Sequence, residues 1–236
     1  YINAIIAQYP SVDVFWLVAR RKELLKEIAG EHPDKTIAAI SLDLSKEESL
    51  EMFEQLLKEN EPEIKVLVNN AGYGKACDFF SSSRPAQTGM VDLNCRALTA
   101  ITRLCLPYML DDSLVLNVAS IAAFAPTPRM TVYSATKAYV LAFSKALHEE
   151  LRPRGIKVLA VCPGPMKTEF LDVGSITGRS PAFEYLPYCD QVRVAAGALR
   201  AAKAGRTMYT PRLFYKFYRL LAKVAPVKLM VKFTKT

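Results

Sequence analysis

Tyr133 and Lys137 stand four residues apart in a segment with helical patterning, so they share one helix face. An unperturbed phenol titrates at about 10. A neighbouring ammonium stabilises the phenolate and lowers that value, which gives a general acid/base suited to work near neutral pH. In a chain with eleven tyrosines this spacing arises by chance about once, and the same pair would serve as a packed ring and a solvated lysine on an amphipathic helix. Ser120 changes that balance. It follows the apolar run from Leu114 to Val118, and such a strand would carry its hydroxyl to the same edge.

The elements that must position these groups alternate along the chain. Apolar runs at Val14–Val18, Ile37–Leu42, Val66–Val68, Leu114–Val118 and Val158–Cys162 read as strands, with a last short one at Thr207–Thr210. Helical patterns cover Glu23–Gly30, Lys46–Asn60, Gln87–Met109, Met130–Leu151 and Gln191–Lys203. Val-, Ile- and Leu-rich strands alternating with helices predict an α/β fold, a doubly wound parallel sheet covered by helices on both faces. Ligands of such sheets bind beyond the carboxyl ends of the strands. Small and polar residues gather there: Arg20 and Arg21, Asp43 and Leu44, Asn69 to Gly72, Ser120, then Pro163, Gly164 and Thr168. Turn formation alone would explain Asn69 to Gly72, an N-cap would explain Asp43, and a helix-surface amide would explain Asn94.

Asn69-Asn70-Ala71-Gly72, Asn94, Ser120, Tyr133-Ser134-Ala135-Thr136-Lys137 and Pro163-Gly164 occur in the order, and at about the spacings, of the short-chain dehydrogenase/reductase superfamily. The chain resembles that family from Tyr1 to about Pro211. The resemblance implies a Rossmann-type fold and hydride transfer between a nicotinamide and a carbonyl or alcohol. It implies that Tyr133 is the acid/base, that Lys137 holds the nicotinamide ribose and lowers the tyrosine pKa, and that Ser120 hydrogen-bonds the substrate oxygen. Asn94 would position a water in the proton relay. Asp43, Leu44, Asn70, Ala71, Gly72, Pro163, Gly164 and Thr168 would contact the cofactor. Two hydroxyls meeting the developing oxyanion would stabilise the transition state. The resemblance also implies a homodimer or homotetramer, built through the long helices.

NAD-specific sites place an acid at the end of the second strand. Here Ala19 is followed by Arg20, Arg21 and Lys22. Cations before a helix amino terminus oppose the macrodipole, and the 2′-phosphate of NADP would resolve that conflict through arginine's fork geometry. NADP(H) is therefore expected over NAD(H). The competing account is a solvated basic turn balanced by Glu23 and Glu27.

The family's Gly-rich turn, of the form TGxxxGxG, which wraps the pyrophosphate, does not occur. Tyr1–Gln8 reads as the helix that would follow it, so the first strand and the turn are expected to be missing from this chain, as a segment of about twenty residues before Tyr1; the competing account is a genuine variant of the family without the turn.

Thr168 to Pro187 is expected to form a substrate lid, with Phe170, Leu171, Val173, Ile176, Phe183, Tyr185 and Leu186 facing an apolar, steroid-like or acyl-chain carbonyl. The competing account is that these residues pack on the domain.

The 236 residues allow one domain over 1–211 and a helical extension over 212–236. Hydrophobic residues make 51% and charged residues 23%, which excludes a disordered chain. The five cysteines form no CxxC pair, which favours a reducing compartment, the cytoplasm. With only His32 and His148, neither a multi-histidine metal site nor a Ser–His–Asp triad has ligands to draw on, so no metal is expected; His148 reads as a packing or surface residue. The net charge of +8 is concentrated from Arg206 onward, where eight cations and no acids occur. The remainder is near neutral, which argues against nucleic acid. In the extension Leu213, Phe214, Phe217, Leu220, Leu221 and Val224 form an apolar stripe flanked by Arg212, Lys216, Arg219 and Lys223. Such a helix either lies on an anionic membrane surface or packs over the substrate cleft. It is similar to the tails of bacterial members of the family that act on steroids or acyl chains.

The expected function is thus an NADP-dependent carbonyl reductase or alcohol dehydrogenase of hydroxysteroid dehydrogenase-like type. Two alternatives are a non-catalytic dinucleotide-binding regulator of the same fold, which would not need to keep Ser120, Tyr133 and Lys137 together, and a membrane-surface scaffold, which leaves the strand-end residues unexplained.

Overall fold

The computed structural model describes residues 1–174 and 186–234. Among these residues the strands are β1 (Val14–Ala19), β2 (Thr36–Ser41), β3 (Ile64–Asn69), β4 (Met109–Val118), β5 (Lys157–Val161) and β6 (Met208–Tyr209). Every pairing is parallel. The helices are α1 (Ile2–Gln8), α2 (Lys22–Gly30), α3 (Glu47–Asn60), α4 (Arg84–Val91), a π-helical turn (Asp92–Ala97), α5 (Leu98–Cys105), α6 (Thr131–Leu151), α7 (Glu169–Val173), α8 (Gln191–Lys203), α9 (Leu213–Val224) and α10 (Val227–Thr234).

Strand β4 shows why the layers form. Alternate side chains point to opposite faces. Leu114 and Leu116 enter a core with Ile5, Leu159, Leu199 and Tyr215. Val115 enters a second core with Ile156 and Val158 on the other face. Both faces are covered by helices, the doubly wound α/β arrangement the sequence predicts.

The sheet is divided. β1 pairs with β2, and β3–β4–β5–β6 form a separate ladder. Residues of β3 are half-buried along its whole length, whereas Val115, Leu116 and Val158–Val161 of β4 and β5 are fully buried.

Three boundaries differ from expectation. The pattern over Gln87–Met109 is broken: a π-helical turn interrupts it, α5 ends at Cys105, and Met109 begins β4. Pro107, which cannot donate a helical bond, follows directly in a short 3₁₀ turn. β4 starts earlier than Leu114 because Met109 pairs with Ile64 across an irregularity in the register. The extension is two helices, since Ala225 precedes Pro226 and takes an extended backbone.

Candidate active site

Helix α6 carries Tyr133, Lys137, Val140, Ser144 and His148 as its buried stripe, at i, i+4, i+7, i+11 and i+15. That spacing keeps one face against the sheet. At its far end His148 accepts the Val158 amide at Nδ1, 3.2 Å away, so this histidine packs rather than ligates. At its near end Tyr133 and Lys137 reach the carboxyl edge of β4. The Lys137 ammonium donates to the Val118 carbonyl at 2.7 Å. Ser120 lies two residues beyond the end of β4, and its hydroxyl hydrogen-bonds the Tyr133 phenol.

Burial pushes the Tyr133 phenol up to about 12, with the Ser120 bond acting in the other direction. Burial likewise pushes the Lys137 ammonium down to about 8. In this structure burial is the main influence on the phenol. The lysine spends its bond on the Val118 carbonyl and lies 5.7 Å from the Tyr133 ring centre, and desolvation of the phenol outweighs the charge.

Asn94 is 1% exposed, so it is no surface amide. From the π-helical turn it accepts the Tyr73 amide at 3.0 Å, donates to the Tyr73 carbonyl at 2.9 Å and donates to Thr136 Oγ1 at 3.0 Å. It ties the strand-end turn after β3 to α6. A Cβ on Gly72 would meet its Oδ1 at 2.9 Å, and a Cβ on Gly74 would meet the Tyr133 ring at 2.7 Å. Both positions need glycine for close approach.

One cavity of about 1170 Å³ joins these groups to the other strand ends. Arg20, Arg21, Asp43 and Leu44 line one part of it. Asn70, Ala71 and Gly72 line another, as do Ser120, Tyr133, Lys137, Pro163, Gly164, Thr168 and Phe170. All the expected cofactor-contact and substrate residues thus border a single space, with Asn94 buried behind it. Asp43 is not the α3 N-cap, which is Lys46. Its carboxylate accepts from the Ser45 amide and hydroxyl at 3.1 and 2.6 Å, and these bonds, with Arg20 and Lys46 nearby, hold its pKa down. Thr168 and Phe170 border the cavity from the start of the lid, and Phe170 packs 5.5 Å from Tyr133, ring centre to ring centre. Leu171 is buried beside them and Leu186 lines the far side. Ile176, Phe183 and Tyr185, and the side chain of Val173, lie outside the described residues.

Sequence reasoning missed several participants. Glu169 supplies the acid that the Arg20–Lys22 turn lacks locally, pairing with Arg21 from 148 residues away. Neither Glu23 nor Glu27 does so; Glu23 pairs with Lys26. Tyr215, left out of the tail's aliphatic and phenylalanine stripe, is fully buried. It donates to the Pro187 carbonyl at 2.7 Å and covers Gly164, where a Cβ would collide with its ring. An i+3 ladder of tyrosines, Tyr215 and Tyr218, was the available signal.

The residues fit a dinucleotide along most of this cavity. Its volume exceeds the roughly 300–1,000 Å³ of a single-ligand pocket. Lys137 is buried with three donors, of which the Val118 carbonyl takes one. Among the described residues no Gly-rich turn is present to wrap a pyrophosphate.

The short chain dehydrogenase family model matches residues 10–178. The chain belongs to the short-chain dehydrogenase family. It is 32% identical over 193 residues to a very-long-chain 3-oxoacyl-CoA reductase of Anas platyrhynchos, covering 78% of this chain and 60% of that protein's length. The chain therefore spans less than two thirds of that relative's length. Among solved structures, a short-chain dehydrogenase from Sphingobium yanoikuyae in complex with NADPH superposes with a TM-score of 0.79, at 27% identity over 97% of this chain and 91% of the other. The bulky-bulky ketone specific alcohol dehydrogenase from Comamonas testosteroni superposes with a TM-score of 0.74, at 28% identity over 97% and 89%.

Proposed function

We propose that this short-chain dehydrogenase is an NADP-dependent oxidoreductase that interconverts a bulky apolar ketone and its secondary alcohol. The observation that carries the reading is the convergence of Ser120, Tyr133 and Lys137 on one cavity with an apolar far wall. Bound there, the nicotinamide would supply or take up the hydride.

The chain's own residues do the rest. A phenol held at about 12 keeps its proton at neutral pH, so Tyr133 is ready to donate it to a carbonyl oxygen. Ser120, already bonded to that phenol, offers a hydroxyl to the same oxygen. Lys137 would hold ribose hydroxyls with the donors that Val118 leaves over. Arg20 and Arg21 border the cavity beyond β1, which suits a 2′-phosphate, and the NADPH complex of the Sphingobium relative supports that choice. Asp43 and Leu44 would flank the adenine, and Asn70 to Gly72 its ribose.

The substrate class follows from the walls. Met166, Phe170, Leu171, Leu186, Tyr218 and Leu221 make the remaining space apolar and wide. The long-chain oxoacyl and bulky-ketone substrates named for two relatives are of the same kind. The test is NADPH oxidation with a series of aryl and long-chain ketones. Turnover that rises with ketone bulk supports the reading, and turnover confined to small polar carbonyls overturns it.

A further inference from the structure

Helix α9 presents two apolar faces. One meets the body: Tyr215 is fully buried, and Tyr218 packs 6.4 Å from the Phe124 ring. At about 100° per residue, Leu213, Phe217, Leu220 and Val224 fall on the opposite side. They are 80%, 66%, 58% and 71% exposed. Lys216 and Lys223 run along one flank of this stripe. Phe214 and Leu221 run along the other, and both line the cavity. Helix α10 continues the pattern, with Val227 and Phe233 exposed and Phe233 also on the cavity rim. The extension therefore neither spends its stripe on the domain nor simply caps the cleft. It covers the cleft with one set of residues and turns the stripe outward.

A contiguous exposed apolar face is unfavourable in water and marks an interaction surface. Its surroundings state the chemistry of the partner. From Arg206 to Thr236 there are eight cations and no acids, so the partner is apolar where the stripe lands and anionic around it. A bilayer of acyl chains beneath anionic headgroups has that layering. A second copy of this chain does not: a two-fold contact would bring Lys216 and Lys223 against their own equivalents with no carboxylate between them. None of the described helices is long and apolar enough to cross a membrane, so docking would be in the plane of the surface.

We propose that α9 and α10 dock on an anionic lipid bilayer and set the cavity mouth against it, so that an apolar ketone enters from the lipid phase. The docking stands on the surface alone; the entry route rests on the function proposed above.

The test is co-sedimentation of the full chain with vesicles of phosphatidylcholine, alone or mixed with phosphatidylserine. Binding to the mixed vesicles should be at least about tenfold tighter and should fall as salt rises from about 0.1 to 1 M. Phe217→Glu with Leu220→Glu should abolish binding to the mixed vesicles. Lys216→Glu with Lys223→Glu should abolish the preference for phosphatidylserine, and this pair keeps the test readable should the first fail to fold. NADPH binding without vesicles, measured on each variant, should be unchanged. It reports on the cofactor site separately, so failure of that reading is visible as NADPH binding lost in every protein, wild type included. Equal binding to both vesicle types, binding that survives the variants, or a dimer in ultracentrifugation that Phe217→Glu dissociates would each overturn the docking.

Discussion

Arg21 and Glu169, which both line the cavity, form a two-pronged pair with bonds of 3.1 and 2.7 Å. The arginine follows β1 and the glutamate opens α7, so the pair joins the proposed phosphate end to the start of the lid. Both side chains are largely exposed, and an exposed pair contributes little to stability. Its consequence is for binding. A 2′-phosphate would compete with Glu169 for the same guanidinium fork. Glu169→Gln is expected to tighten NADPH a few-fold and leave NADH unchanged. Arg20→Ser with Arg21→Ser is expected to weaken NADPH about tenfold or more, again sparing NADH. Fluorescence titration with both nucleotides checks each outcome.

Lys137 gives a pH signature in stability. Its ammonium is pushed from 10.5 to about 8 in the folded chain. Between those values the unfolded chain holds a proton that the folded chain has lost, so stability rises with pH across that window. Below about 8 the buried charge costs stability, and above 10.5 that cost is gone. Lys137→Met removes the group. The stability of wild type minus that of the variant should therefore climb from pH 8 to 10.5, read from urea midpoints at each pH.

Asn94 is expected to be a positioning residue. Replacing it with Leu strands the amide and carbonyl of Tyr73, two part-buried groups at about 1–2 kcal/mol each. Urea unfolding should show a loss of about 2–4 kcal/mol. Asn94→Asp keeps the acceptor for the Tyr73 amide and should recover part of it.

Gly164 and Tyr215 bind the extension to the body. A Cβ at 164 would strike the Tyr215 ring, so Gly164→Ala is expected to release α9. Limited proteolysis should then cut near Pro211 far faster than in wild type. Tyr215→Ala, an emptied site for a large ring, should cost about 3–5 kcal/mol.

The order of strands and helices was legible because each run kept its period: Gln191–Lys203 is helical over the same residues the pattern covers. The strand-end residues were legible because parallel sheets gather function at one edge, and Arg20, Asp43, Asn70, Ser120 and Gly164 do meet there. Contacts made across the chain were not. No local pattern connects Arg21 to Glu169, and none shows that Asn94 faces Tyr73 and Thr136 from inside a π-helical turn. The upward push of burial on Tyr133 was hidden for another reason. Spacing gives proximity to Lys137, whereas desolvation depends on what packs around the ring, Phe170, Met90 and Met130 among them. The tail was half legible: its apolar and basic residues were counted, but which face Tyr215 would claim depends on the glycine beneath it.

In the proposed reaction Tyr133 gives its proton to the substrate oxygen. Tyr133→Phe keeps the ring against Phe170 and removes only the hydroxyl. The measurement is NADPH-dependent reduction of a bulky aryl ketone beside NADPH affinity in the same variant. A rate lowered about 10²–10⁴-fold with the NADPH dissociation constant unchanged is the predicted result. A variant that reduces the ketone at the wild-type rate would contradict it.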